Sequence, residues 1–256
     1  MAQDSISAGQ SFGIGPVLST SISVFFRNLV PFLAITALIG IPYILISFWM
    51  LSTIGDMQAA VRTGGVPPSG FFGMVAVSVI VLLLTNTLSQ SAINYGTFQD
   101  LRGRKASFSD CLGRGFAMLP RVIVGAILAS IAYAIGFMLL VVPGVILSLM
   151  WWVFIPVIIV EGAGIGEAFG RSRDLTRGHR WGILGLLFVV GIIQWIVSMV
   201  LGLIGRALGP VVAEVLNLVV ILGFTSFFAV LCTVGYYYLR SEKEGIVIDD
   251  IARVFD

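Results

Sequence analysis

The chain has 256 residues, of which 58% are hydrophobic and only 11% are charged. Soluble domains contain about 45–50% apolar and about 25% charged residues. This composition, with a mean hydropathy of +1.04, excludes an ordinary soluble protein and indicates an integral membrane protein. One histidine and two cysteines are too few for a Cys/His zinc site and leave one candidate histidine base. We therefore expect no enzymatic activity, no cofactor and no metal.

Long uncharged runs predict where the chain crosses the membrane, because a crossing helix needs about 20 apolar residues. Single helices are predicted within residues 28–55, 71–95, 181–205 and 215–239, the second after a Gly- and Pro-rich loop at 63–70. The run 122–160 would form a helix of about 58 Å, roughly twice the hydrocarbon thickness. Val142-Pro143-Gly144 interrupts it and predicts two helices, near 120–141 and 145–160.

Basic residues predict the orientation, because cytoplasmic loops of membrane proteins are enriched in Lys and Arg. The segments 99–121 and 161–181 are both basic, so an even number of crossings must separate them, which gives six spans and two cytoplasmic termini. Thirteen of the 15 basic residues then lie on the cytoplasmic side, and only Arg62 and Arg206 lie outside. The pattern fits a multi-pass protein of the bacterial inner (plasma) membrane, although the rule holds for eukaryotic plasma membranes as well. A disulfide between Cys111, on the cytoplasmic side, and Cys232, in the sixth span, is not expected.

A short pattern recurs before each odd-numbered span and predicts a threefold repeat. Apolar or small residues recur at offsets 0, 3, 4, 8 and 11, one face of a helix, with two polar exceptions in the third copy. The copies are Ile14, Val17, Leu18, Ile22, Phe25; Phe108, Cys111, Leu112, Phe116, Leu119; and Ile165, Ala168, Phe169, Arg173, Thr176. Gly13, Ser107 and Gly164 occupy the N-cap positions, and Asp110 and Glu167 complete two capping boxes. Three chance amphipathic stretches are the alternative.

The pattern predicts an all-α fold: six transmembrane helices in three hairpins, each preceded by an amphipathic cytoplasmic or interfacial helix with its apolar side toward the acyl chains. The third helix, which is more polar, could instead pack on protein. The three units span about 8–98, 99–160 and 161–239 of a single membrane domain over residues 1–256. Residues 240–256 are predicted to form a short cytoplasmic tail.

Two basic clusters are candidate contacts for anionic lipid headgroups or for a partner protein. They consist of Arg102, Arg104 and Lys105, and of Arg171, Arg173, Arg177 and Arg180. Each basic residue near a charged membrane surface contributes about 1 kcal/mol. The alternative is that these residues only set the topology during insertion.

The segment 166–178 is the densest polar stretch, and ion pairs within one helix would explain it. Glu167 and Arg171 are spaced i,i+4, and Arg171 and Asp174 are spaced i,i+3. The single histidine, His179, follows beside Arg180. We interpret it as an interfacial residue rather than a catalytic base.

The second span contains a polar stripe, Asn86, Gln90 and Asn94, with i,i+4,i+8 spacing. Amides are costly in hydrocarbon and must face other helices, water or a ligand. The favoured interpretation is that these amides form hydrogen bonds to other helices, with Gln194 and Asn217 as candidate partners. A path for a substrate or for water is the alternative.

Two stretches resemble a known group. Pro156, Glu161 and the run from Gly166 to Trp181, together with Tyr237-Tyr-Leu-Arg240 and Glu244-Gly245, resemble bacterial six-span proteins of the glycerophosphoryl diester phosphodiesterase membrane-domain-like or YciC-like family. The resemblance implies a six-helix membrane domain, which in some relatives is fused to a soluble phosphodiesterase. The catalytic part of such relatives needs paired histidines and a barrel of about 200 residues, so its activity is not carried over.

We expect a non-enzymatic inner-membrane protein that organises lipid or binds a membrane partner. Its expected partners are anionic lipids on the cytoplasmic side, with a membrane protein or a second copy of the chain as further candidates, and no nucleic acid. The alternative function is a transporter or channel for a small neutral or lipid-like solute.

Overall fold

The computed structural model of the protein describes residues 11–62, 70–105 and 107–245. The predictions for the loop at 63–69, for the tail beyond residue 245 and for Arg253 lie outside these residues. The described chain is all-α and contains no strand. Its helices are α1 (Ile14–Arg27), α2 (Leu29–Arg62), α3 (Phe71–Leu101), α4 (Phe108–Leu139), α5 (Val141–Met150), α6 (Phe154–Glu161), α7 (Ile165–Thr176), α8 (Arg180–Leu208) and α9 (Pro210–Glu244).

Within the described residues, six stretches of helix are long and apolar enough to cross a membrane, as the uncharged runs predicted. They are α2, α3, α4, the pair α5 and α6, α8 and α9. The fourth span covers Val141–Glu161 and is built from two helices that meet at residues 151–153. Its 21 residues reach about 31 Å at 1.5 Å per residue, which matches the hydrocarbon thickness.

The three predicted helix starts are correct. Gly13, Ser107 and Gly164 are the N-caps of α1, α4 and α7. In the second copy, Ser107 Oγ accepts from the Asp110 backbone N–H at 3.1 Å, and Asp110 Oδ2 accepts from the Ser107 N–H at 3.2 Å. In the third copy, Glu167 Oε2 accepts from the Gly164 N–H at 3.3 Å. These bonds pair amide groups that a helix otherwise leaves unsatisfied.

The surroundings of the amphipathic stretches differ from the prediction. Helix α1 packs against α9 and α8, and its Val17 and Phe25 are buried in the protein core. Val17 and Phe25 of the predicted apolar face therefore lie on protein, whereas Ile22 and Ile14 of the same face are exposed, so only part of that face is open to acyl chains. The second stretch is not a separate helix, because α4 continues through Pro120 into the third span. The third stretch packs on protein through its buried Ala168 and Thr176.

The C-terminal half of α9 lies inside the bundle. The helix contacts α1, α2, α3, α6, α7 and α8, and its residues from Ala229 to Leu239 are buried. Neighbouring spans pack as α2 on α3, α4 on α5, and α8 on α9. Gly235 admits the Trp152 ring, since a Cβ built there would lie 2.4 Å from Trp152 Cη2. Cys111 and Cys232 are both buried as free thiols.

The two ends of the bundle differ in charge. The ends of α1, α3, α6 and α9 and the beginnings of α4, α7 and α8 meet at one end, which we call the basic end. Contacts that join them include the ion pair between Arg27 and Asp100 and a bond from Arg121 Nη1 to the Gly162 carbonyl at 3.3 Å. Among the described residues, twelve basic and seven acidic side chains belong to the basic end, while Arg62 and Arg206 lie at the other.

Candidate functional site at the basic end

Five residues from three helices form a network of charges at the basic end. We call Glu161, Arg171, Tyr236, Arg240 and Glu244 the charged cluster. Glu161 is the last residue of α6, and Arg171 lies in the second turn of α7. The other three follow one another at i,i+4,i+8 on one face of α9, near its C-terminus.

Tyr236 connects the two charged ends of α6 and α9. Its hydroxyl donates to Glu161 Oε1 at 2.6 Å and accepts from Arg240 Nη1 at 2.8 Å. Arg240 Nε donates to Glu244 Oε2 at 2.8 Å, one helical turn further on. Tyr236 is 1% exposed and the Arg240 side chain is 12% exposed, so water screens these bonds weakly.

Arg171 closes the network from α7. Its Nε donates to Glu161 Oε2 at 3.2 Å, and its Nη2 donates to Glu244. Burial lowers the pKa of Arg171, but the hydrogen bonds and charges of Glu244 and Glu161 outweigh burial and raise that pKa overall. Two cations thus face two anions, and the network holds α7 against α6 and α9.

The predicted ion pairs within α7 do not explain Arg171. Its guanidinium pairs with residues of α6 and α9 instead of Glu167 and Asp174. Glu167 caps the helix, and the Asp174 carbonyl accepts from Lys243 Nζ in α9. The polar stretch therefore fastens α7 to its neighbours through bonds that reach other helices.

His179 lies beside the charged cluster, between α7 and α8. Its Nε2 lies 3.4 Å from Glu242 Oε1, and its ring meets the Phe12 ring edge-to-face with centroids 5.5 Å apart. Glu242 Oε2 also accepts from the Phe12 backbone N–H at 2.5 Å. The histidine therefore helps to join the segment before α1 to the end of α9.

A separate ion pair joins the end of α1 to the end of α3. Arg27 Nε donates to Asp100 Oδ1 at 3.0 Å, and Arg27 Nη2 donates to Asp100 Oδ2, in a two-bond fork. These hydrogen bonds raise the pKa of Arg27. Arg27 is therefore another arginine of the basic end whose charge is paired with a carboxylate of the protein.

The predicted headgroup contacts differ in their exposure. The Arg102 guanidinium carbon lies 5.4 Å from the centroid of the Phe98 ring, and Arg102 and Arg180 are half-buried. Four of the predicted residues are exposed: Arg104, Lys105, Arg173 and Arg177. The structure thus separates Arg171, which is held inside the charged cluster, from its neighbours Arg173 and Arg177, whose side chains are exposed.

The predicted polar stripe divides along α3. Asn94 is fully buried, and Thr233 Oγ1 of α9 donates to its Oδ1 at 2.9 Å. Gln90 is half-buried, Asn86 is exposed, and Gln90 Nε2 donates to Asn86 Oδ1 at 3.2 Å. The proposed partners Gln194 and Asn217 are both exposed and make none of these bonds, so the prediction named the wrong partners.

Other polar groups are also buried inside the bundle. Thr36 of α2 and Ser226 of α9 are buried and their hydroxyls are 2.6 Å apart. Asn94 Nδ2 and Thr97 Oγ1 are buried without a hydrogen-bond partner among the described residues. Within the same residues, no group of three or more His, Cys, Asp or Glu side chains could hold a metal ion.

A comparison with protein families identifies the chain's relatives. The model of one family, the membrane domain of glycerophosphoryl diester phosphodiesterase, matches residues 115–242, half of the chain. The chain belongs to this family. The resemblance drawn from the two sequence stretches is therefore confirmed. No curated protein and no solved structure matches the chain.

The family match contains most of the charged cluster. It includes all of its members except Glu244, which lies two residues beyond the match. Arg171 was predicted as a candidate contact, whereas Glu161, Tyr236, Arg240 and Glu244 were not. Three of these four belong to the two stretches that carry the family resemblance, and Tyr236 directly precedes one of them. The two stretches that resemble the family therefore contained the signal for this site, because three of the missed residues belong to them and the fourth lies next to one.

Proposed function

We propose that this membrane-domain protein is a non-enzymatic protein of the bacterial inner membrane whose basic end binds anionic lipid headgroups. Through those headgroups it organises lipid around itself or around a membrane partner. The proposal places the basic end on the cytoplasmic side, where anionic lipids attract Lys and Arg.

The observation that carries the proposal is that some basic residues are paired with carboxylates of the protein while others are exposed. Arg27, Arg171 and Arg240 are held in ion pairs with carboxylates of the protein. Arg173 and Arg177, by contrast, are exposed and lie four positions apart at the end of α7. The charged cluster fixes α7, which carries Arg173 in its last turn and ends at the C-cap residue Arg177, so both guanidinium groups are presented beside an anchored helix.

A headgroup phosphate suits this arrangement. Guanidinium groups donate two parallel hydrogen bonds to phosphate oxygens, and Arg173 in the last turn of α7 and Arg177 at its C-cap lie at the same end of that helix. Lys105 and Arg104 are exposed in the segment before α4 and add positive charge at the same end. If these residues only set the topology during insertion, the protein would need their positive charge but would show no preference for anionic over neutral headgroups.

The test is thermal stabilisation of the purified full-length protein in detergent by added phosphatidylglycerol or phosphatidylcholine. We expect phosphatidylglycerol to raise the Tm more, and R173Q/R177Q to lose at least half of that excess. Arg206→Gln, which removes an exposed arginine at the opposite end, is the control and should retain it. Equal effects of the two lipids on the wild type, or an unchanged excess in R173Q/R177Q, would refute headgroup binding at this site.

The second candidate function is passage of a small neutral solute through the bundle. Asn94 Nδ2 and Thr97 Oγ1, on one face of α3, are buried without partners and could accept a polar guest. Stopped-flow swelling of proteoliposomes with glycerol or urea tests this function. Permeability above that of empty liposomes, abolished by Asn94→Leu, would support it, whereas permeability equal to that of empty liposomes would exclude it for these solutes.

A further inference from the structure

Asn86 is a surface amide of a membrane-spanning helix with a second amide, Gln90, one turn away. It lies fifteen residues from each end of α3, at the midpoint of the second span, and its side chain is exposed on the surface of the protein. At this depth the surface faces the hydrocarbon, which offers no hydrogen-bond partner. An exposed amide is therefore costly there unless another molecule meets it.

The internal bond from Gln90 satisfies only part of this need. Gln90 Nε2 donates to Asn86 Oδ1 at 3.2 Å. Asn86 Nδ2 and Gln90 Oε1 have no partner among the described residues. The pair thus retains one group that donates and one that accepts, next to each other on the surface of α3.

This remaining pair of groups is self-complementary. If two copies of the chain meet in the same orientation about a two-fold axis, Asn86 Nδ2 of each can donate to Gln90 Oε1 of the other. The bond within each copy brings the two amides close together, so both contacts can form near one depth. Acyl chains offer no equivalent, and water is scarce at the bilayer midpoint.

The helix face around the amides suits contact with another helix. Val79, Leu82 and Leu83 lie one and two turns away from Asn86 on the same face, and all three are exposed. Apolar side chains beside a polar pair provide packing, while the amides fix the register and the partner. The basic end is not involved in this contact.

We propose that the protein forms a two-fold symmetric dimer through α3, held by reciprocal hydrogen bonds between Asn86 of one copy and Gln90 of the other. The interface is separate from the headgroup site. Its loss would leave lipid stabilisation through Arg173 and Arg177 in place.

The test is single-molecule photobleaching of the full chain, labelled with one dye and reconstituted in liposomes over a range of protein densities. We expect the wild type to dimerise with increasing density, and N86L/Q90L to associate about tenfold more weakly. Gln194→Leu removes an exposed amide at the middle of α8 that has no second amide one turn away, so it cannot form the reciprocal pair and its loss should leave dimerisation unchanged. Monomers at all densities, or equal dimerisation of wild type and N86L/Q90L, would overturn the proposal.

Cross-linking gives a second measurement that does not depend on removing the amides. Leu83→Cys places a thiol one turn from Asn86, and Val200→Cys places one on the exposed face of α8. Oxidation with copper phenanthroline in the bilayer should link copies through residue 83 at least several-fold faster than through residue 200. Equal rates, or faster linking through residue 200, would place the contact elsewhere.

Discussion

Arg171 in α7 and Glu244 in α9 form an ion pair although 73 positions separate them in the sequence. The same guanidinium bonds Glu161 at the end of α6. One arginine therefore holds a short helix between the ends of two spans, and this contact fixes the position of the exposed arginines beside it.

Replacing Arg171 by glutamine should destabilise the protein and loosen α7. Glu161 and Glu244 would lose their bonds to α7 and remain partly buried, which costs about 1–3 kcal/mol. We expect a lower Tm in detergent and faster hydrogen exchange across α7. Arg173→Gln, on the exposed side of the same helix, should leave both unchanged in the absence of anionic lipid. Equal exchange rates in R171Q and the wild type would contradict the role of the charged cluster.

A methyl group at Gly235 should disturb the centre of the bundle. Its Cβ would lie 2.4 Å from Cη2 of the buried Trp152 ring, so the ring or the helix must move, at a cost of about 1–3 kcal/mol. Gly223→Ala on the same helix is the matched control, because a Cβ there meets nothing within 4 Å. A Tm of G235A at or above that of G223A would contradict the close contact between Gly235 and the Trp152 ring.

Thr233→Val should weaken the contact between α3 and α9. It removes the donor to Asn94 Oδ1 and leaves a buried amide without a partner, and such interhelical bonds contribute about 0.6–2 kcal/mol. Thr85→Val is the control, since among the described residues the Thr85 hydroxyl bonds only to carbonyls of its own helix. A double-mutant cycle of T233V with N94L measures the coupling from the Tm values. Additive effects would mean that the two side chains do not interact.

The sequence predicted where the helices begin and end better than it predicted which other helices, or lipid, each one packs against. Caps such as Ser107 with Asp110 are local, because every atom involved lies within four residues, and they were predicted correctly. The six spans follow from the lengths of the uncharged runs. The apolar pattern of α1 did not reveal its surroundings, because lipid and protein select the same side chains at Val17 and Phe25.

Contacts between distant residues could not be predicted in the same way. Asn94 and Thr233 are 139 positions apart, and their bond depends on the depth and rotation of two spans. Periodicity placed Asn86, Gln90 and Asn94 on one face of α3, but one face can pass from the core to the surface as the neighbouring helices diverge. The partners of Arg171 were missed for the same reason, since nearby carboxylates at Glu167 and Asp174 suggested a local explanation.

Native mass spectrometry of the intact protein with mixed lipids tests headgroup binding most directly. With phosphatidylglycerol and phosphatidylcholine at equal concentration, we expect the wild type and R206Q to retain phosphatidylglycerol preferentially, and R173Q/R177Q to lose that preference. The same preference in R173Q/R177Q as in the wild type, or no preference in the wild type, would contradict the proposal that the exposed arginines of α7 bind anionic headgroups.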